Sequence, residues 1–465
     1  MVILCILNPS PYRLTSIYYT VYVRFSFPAK SIMEPSTRYN ILLLGTLFLY
    51  FGASKFLFDK VNDTIHTVID EYFHIPQGKA YCEGNFTYWD PKITTLPGLY
   101  LISTIVGTYF DCNTYNLRFI NLIASCVNLY LFSSILKFIY FNDKRQSKII
   151  LQALSLTLLP PLYFFSHIYY TDTLSLTFLL AFCRLSFMNH NKILILLFGI
   201  FAVLMRQTNI VWIAMVFGHK TLDILLRSSR VFGNQYITHV KLNFLTLFVH
   251  LIILVSFVVF VYINGSIVVG DKTAHKATIH IPQLLYFLLF YGVFGLPYVI
   301  SKFASTMKMI FNNKLLVILY SALVILIVHY NTQVHPYLLA DNRHFIFYVW
   351  NRWYGKYDYA IYASVPVYIF LLFSLYDNLK NHNCVSFLLP YSICLFFGLA
   401  LQQLIEVRYF LIPYIVLRLR FGRPSYLVAV SEFVWYIVIN LAVYNVFFNK
   451  EVYWRDYDYV QRIIW

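Results

Sequence analysis

Charge is what this chain has least of. Only 12% of its 465 residues are Asp, Glu, Lys or Arg, and 59% are hydrophobic; a soluble domain carries about 25% charged residues. With a mean hydropathy of +0.63, the chain has too little polar surface to fold as a water-soluble globule. Metal-binding patterns are missing as well. The 7 cysteines show no CxxC or zinc-type spacing, and no HExxH occurs, so neither a zinc site nor a redox motif is read here. No internal repeat is visible, which disfavours repeat-built transporters. Charges within apolar stretches are few, whereas pumps and proton relays need them.

What is abundant is long apolar runs. They fall at Ile41–Phe58, Leu117–Phe141, Ile149–Phe165, Leu174–Phe187, Ile193–Phe217 and Leu242–Ile263. Others follow at Leu284–Ile300, Leu315–Val328, Tyr359–Tyr376, Val385–Leu401 and Tyr426–Phe448, with less certain segments at His344–Trp353 and Tyr409–Leu419. A helix needs roughly 20 apolar residues to cross a bilayer. The expected fold class is therefore an all-α polytopic membrane protein with about 11–14 transmembrane helices.

The net charge of +16 would raise nucleic acid as a partner in a soluble protein. Here the basic residues sit in short loops such as "NDKRQSK", "RSSR" and "RLRFGR", the positive-inside pattern of cytosolic loops. No nucleic-acid motif accompanies them. Counting passes from Arg24, Lys30 and Arg38, the first span runs outward. Loops rich in Asp, His, Asn and Thr then fall on the luminal side. Three glycosylation sequons, at Asn62, Asn85 and Asn264, share that side. Past Arg343 the parity of the spans stays open. Cys82 and Cys112 lie in or near the first luminal loop and are either a disulfide or two free thiols. Residues 1–40 read as an N-terminal extension, with Met33 a natural alternative start. Residues 41–465 read as one transmembrane domain, with 60–115 as its first luminal loop.

That loop carries "DEYFHIPQ…YCEGNFTYWDPKITTLPGLY". With "YYTDTLSL", "RQTNIVW", "GDKTAHKATIHIPQLLYF", "HPYLLADNRHFIFYVWNR" and "RYFLIPY", it resembles the dolichyl-phosphate-glucose-dependent α-1,2-glucosyltransferases of the endoplasmic reticulum (ER). The resemblance runs from about Ile41 to residue 465. It departs from the family pattern at Val407, between Glu406 and Arg408. It implies a GT-C-type helical bundle with a long first luminal loop, whose acidic residues supply the catalytic base. It also implies an ER membrane location with a luminal site. The donor would be dolichyl phosphate glucose. The acceptor would be the diglucosylated oligosaccharide on dolichyl diphosphate, which receives its last α-1,2-glucose for protein N-glycosylation. No cofactor is implied. A polytopic transporter and a sister dolichol-linked sugar transferase are the alternative readings.

Inverting transfer requires a carboxylate to take the acceptor proton, cations to stabilise the departing phosphate, and polar or aromatic groups to hold sugar. Asp70 is the first choice for base, and Glu71 its rival. Adjacent helical residues point about 100° apart, so one of them faces the acceptor. The bland alternative is a helix N-cap. Arg206, interrupting an apolar run, suits the donor phosphate; its alternative is an internal ion pair. Lys272, His275, Arg343 and Arg408 are further phosphate candidates. Glu406 and Arg408, two apart, would not face each other on one helix. His74, Trp89, Asp90, Asp172, His280 and His344 are candidates for sugar contact. Turn, cap or structural roles are the alternatives for each. No metal site is expected.

Overall fold

The computed structural model describes residues 37–140, 145–188, 191–228, 234–272, 278–379, 385–455 and 457–465. Most of the proposed extension 1–40, His275 and parts of several basic loops lie outside the described residues.

The apolar runs become helices. α1 (Thr37–Thr64) is followed by α2 (Glu71–Cys82), α3 (Gly98–Tyr109) and α4 (Thr114–Ile139). Next come α5 (Gln146–Thr157), α6 (Pro160–Phe165), α7 (Thr171–Phe187), α8 (Lys192–Met205), α9 (Asn209–Ser228) and α10 (Asn234–Asn264). The second half holds α11 (Pro282–Phe294), α12 (Leu296–Ser301), α13 (Phe303–Asn312) and α14 (Lys314–Asn331). Short α15 (Pro336–Ala340), α16 (Phe345–Val349) and α17 (Ala360–Ala363) precede α18 (Val365–Leu379), α19 (Val385–Leu399), α20 (Leu411–Arg418) and α21 (Tyr426–Asn449). A two-stranded antiparallel ribbon, β1 (Glu451–Val452) and β2 (Gln461–Arg462), follows α21.

Among the described residues, seven helical stretches are long and apolar enough to cross a membrane, and four shorter apolar helices accompany them. The 28 residues of α1 extend about 42 Å at 1.5 Å each, more than the ~30 Å hydrocarbon core. This is an all-α, multi-pass membrane protein. Large apolar side chains such as Phe48, Phe56 and Leu441 point outward, as lipid-facing positions do.

Where the apolar runs are broken, the cause is local. Pro160 and Pro161 open α6, so Ile149–Phe165 becomes two helices, since proline cannot supply the amide that continues the ladder. Gly295 and Pro297 divide Leu284–Ile300 in the same way. Ile193–Phe217 breaks at Arg206, whose backbone is extended, and α9 restarts at Asn209. Asn209 closes the gap by donating its amide to the Ala202 carbonyl and the Ser175 hydroxyl, each at 2.7 Å.

The segment between α1 and α4 is not a loose loop. It folds as α2 and α3 over an apolar cluster that includes Ile75, Tyr81, Leu99, Tyr100, Leu117 and Met205. Cys82 and Cys112 form a disulfide with Cα atoms 6.3 Å apart, closing this layer. Gly98 lets α3 meet α8 backbone to backbone: a Cβ there would lie 2.6 Å from the Leu204 carbonyl. Elsewhere in the bundle, buried Arg418 and Glu432 pair at 2.6 Å between α20 and α21. Arg418 of the basic "RLRFGR" run is thus buried in an ion pair.

Candidate active site

The site is built around the turn joining α1 to α2. Glu71 lies in the first helical turn of α2 and is fully buried. Its Oε1 accepts from Arg118 Nε at 2.9 Å and from the Tyr169 amide at 2.6 Å. Its Oε2 accepts from Arg118 Nη2 at 2.6 Å and from the Val68 amide at 2.9 Å. A carboxylate has about four acceptor positions, so Glu71 has none left for a substrate. Arg118 of α4 spends its remaining donors on Asn62 Oδ1 and the carbonyls of Ile65 and His66. The pair thus fastens α1, the turn, α4 and the 166–170 segment together.

Within this clamp, Ile69 takes a φ of +34°. A β-branched residue there is strained, at a cost of about 1–3 kcal/mol. The strained residue immediately precedes Asp70.

Asp70 occupies the N-cap position of α2, yet its carboxylate makes no capping bond. Instead Oδ2 accepts from Arg408 Nη2 at 2.9 Å, and the side chain stays one-third exposed (34%). Its amide donates to the Tyr170 hydroxyl at 2.9 Å, whose ring also faces the Arg408 guanidinium. Burial pushes the Asp70 carboxyl upward, but the charges of Arg408, His74 and His344 outweigh it and hold it below the usual value of 3.8. This favours the ionised form, and Asp70, with its single guanidinium partner, is the less committed carboxylate of the DE pair.

Arg408 also pairs with Glu406. Glu406 is extended and Arg408 lies in the 3-10 turn Val407–Phe410, so two residues that one helix would have kept apart do meet. Arg206 pairs with Asp172, which sits in the first turn of α7 without capping it. The second Asp172 oxygen is buried and has no hydrogen-bond partner among the described residues. A narrow cavity lies between the two arginines, lined also by Leu162, Leu176, Leu411 and Ile412. Asp172 and Ser175 complete its lining, so two guanidiniums and a carboxylate share its wall with apolar side chains.

The remaining predicted residues are distributed as follows. His74 Nδ1 meets the Tyr100 hydroxyl at 2.6 Å. Burial pulls its ring below the usual value, against the upward pull of Asp70. Asp90 accepts from the Lys92 amide in a local turn and is anchored through Gln77. Trp89 donates to the Ile93 carbonyl and packs its ring edge-on to Tyr100. His344 binds the Trp465 carbonyl through Nδ1 at 2.8 Å. Arg343 grips Asp341 through two nitrogens and lies 4.1 Å over the Trp454 ring. Lys272 donates to the Asn264 carbonyl. Buried His280 accepts from the Gln333 amide. The structure therefore gathers Asp70, His74, Asp172, Arg206, His344 and Arg408, while Lys272, His280 and Arg343 are engaged by their own surroundings.

A family model described as the DIE2/ALG10 family matches residues 64–419, which span this whole cluster. The chain belongs to that family. A relative from Drosophila melanogaster is 41% identical over 448 residues, covering 91% of this chain and 99% of its own length. It is named Dol-P-Glc:Glc(2)Man(9)GlcNAc(2)-PP-Dol alpha-1,2-glucosyltransferase, as are similar proteins from Rattus norvegicus and Homo sapiens, each 34% identical with 85% of this chain and 93% of their own length covered. No solved structure matches.

Sequence reasoning passed over two residues that shape this DIE2/ALG10-family site. Arg118 sits one residue inside an apolar run, the same signal that singled out Arg206. Tyr170 belongs to the quoted "YYTDT" block, but nothing in a tyrosine's identity marks a hydroxyl that reaches back to Asp70.

Proposed function

We propose that this chain is an ER glucosyltransferase of GT-C architecture. It would move glucose from dolichyl phosphate glucose to the 2-hydroxyl of the terminal glucose on the diglucosylated lipid-linked oligosaccharide. The observation that carries the reading is the near end-to-end match to relatives named for that reaction. The division of labour in the DE pair supports it: one carboxylate is saturated and the other is available.

In this reading the acceptor 2-hydroxyl gives its proton to Asp70 as its oxygen bonds the glucose C1. On the opposite face the C1–O bond to phosphate breaks, and its electron pair leaves with dolichyl phosphate. The β-linked donor becomes an α-linked product. Arg408 and Arg206 stabilise the departing charge.

The pairing of Asp70 with Arg408 bears on the order of events. A carboxylate held by a guanidinium is a weaker base than a free one. A donor phosphate that takes over Arg408 would release Asp70 and, as a nearby anion, raise its proton affinity. Glu406 keeps Arg408 in place during the exchange. The donor therefore primes the base, and the acceptor follows.

The test is transfer by the purified full-length protein in detergent, with dolichyl phosphate glucose, a diglucosylated lipid-linked acceptor and the glycan mass as readout. Wild type should add one hexose. Asp70→Asn should lower the rate about 10²–10⁴-fold while thermal stability is kept. Absence of hexose transfer by well-folded wild type would overturn the reading.

A further inference from the structure

The chain carries three Asn-X-Ser/Thr sequons, at Asn62, Asn85 and Asn264, and the fold treats them differently. Modification requires a solvent-facing amide nitrogen on a segment that tolerates a bulky polar substituent. Asn62 lies within α1, and its side chain is tied to the buried Arg118 guanidinium. A glycan there would pull apart the clamp that holds Glu71. Asn264 ends α10 with its Nδ2 donating to the carbonyls of Ser266 and Val268, at 2.8 and 2.9 Å. The nitrogen that would have to react is already committed.

Asn85 differs on each count. It lies in the turn after α2, where residues 83–88 are all exposed. Its Oδ1 accepts from the Thr87 hydroxyl at 2.9 Å, and among the described residues no protein acceptor takes its Nδ2. The sequon is thus folded on itself with the amide nitrogen outward. The turn is held at both ends by bonds that do not use the Asn85 side chain. The Asn85 amide donates to the Ala80 carbonyl, and Gln77 binds the Tyr88 carbonyl and the Asp90 amide. A second, independent observation concerns the compartment. The turn lies between Cys82 and Cys112, which are joined by a disulfide, and such bonds persist in the ER lumen and are rare in the cytosol.

From this contrast we propose that Asn85 is an N-glycosylation site and that the other two sequons stay unmodified. The donor class is an oligosaccharide on a lipid diphosphate, delivered by the cell's asparagine-directed oligosaccharide transferase. A bond forms between Asn85 Nδ2 and C1 of the first sugar as the C1–O bond to phosphate breaks. The lipid diphosphate leaves with the electron pair, and the amide proton passes to a base of that transferase. This inference does not rest on the reaction proposed above.

The test uses the full-length chain expressed in eukaryotic cells and treated with a glycan-removing amidase. One downward mobility step is expected, with Asn85 converted to Asp in the peptide mass. Asn85→Gln and Thr87→Ala should abolish the step, and Thr87→Ser should retain it. Asn62→Gln and Asn264→Gln should leave it unchanged. Because 83–88 are exposed, Asn85→Gln should fold as wild type, checked by its elution in detergent. An unmodified wild-type chain, or a step that survives Asn85→Gln, would overturn the proposal.

Discussion

If Asp70 is the base, as proposed, its protonation sets how acid the medium can become before proton transfer stops. Arg408, His74 and His344 hold that carboxyl below its usual value, so the ionised form persists above the lowered value and is lost as pH falls through it. Donor binding, by drawing Arg408 away, should move that point upward. The two kinetic parameters report different forms of the protein: kcat/KM for the donor follows the free enzyme, and kcat follows the loaded one. The acid limb of kcat should therefore lie at higher pH than that of kcat/KM for the donor. Coincident limbs would show that Arg408 stays on Asp70 throughout. Glu71 should behave otherwise. Glu71→Gln leaves the buried Arg118 charge uncompensated, an effect of about 3–5 kcal/mol, and should show as loss of folded protein in a thermal melt. The DE pair was visible in the sequence, and its candidate role as base came from the family resemblance. Which acid was the less committed was not legible there, because that depends on Arg118, Tyr169 and Arg408, distant in the chain.

Among elements, the α2–α3 layer is the part that periodicity described least well. The sequence showed a polar stretch with prolines. It did not show that the stretch would pack as two helices over its own apolar cluster, since α2 has no clear apolar stripe. The layer is pinned from the side by the segment after α10. There Gly270 has a φ of +66°, and a Cβ on it would lie 2.4 Å from the Ile93 carbonyl oxygen and 2.5 Å from that of Pro91. The Asp271 amide donates to the same Pro91 oxygen at 2.7 Å. "GDKTAH" stood out in the sequence for its cations, yet it is the backbone of its glycine that packs against this layer. Gly270→Ala should destabilise the protein by about 1–3 kcal/mol and increase hydrogen exchange at residues 91–95. Unchanged exchange there would mean the contact does not hold the layer.

The molecule as a whole is joined across its length at the site. Residues 451–455 and 457–465 fold back so that Tyr459 bonds Thr67 and Tyr457 packs edge-on against Tyr72. The Ile464 backbone bonds both Arg343 and Phe345, which brackets His344. Trp454 supports Arg343 with its ring and Asn342 with its indole N–H. Helical spans were readable from hydropathy, but this strap is too short and mixed in pattern to be read that way. Trp454→Ala should lower transfer about tenfold, the equivalent of roughly 1.4 kcal/mol, and raise hydrogen exchange at 341–345 and 66–72 together. Exchange that rises in 451–465 alone would separate the strap from the site.

That fold-back also gives the site a birth time. Thr67 and Tyr459 are 392 residues apart in the chain. At about 5–20 residues per second, roughly 20–80 s separate the synthesis of the two. During that interval Asp70 already exists but His344 lacks its brace, and Arg408 arrives only toward the end. A chain still short of Arg408 therefore lacks part of the candidate site while its helices enter the membrane one after another. The strap that braces His344 is added last.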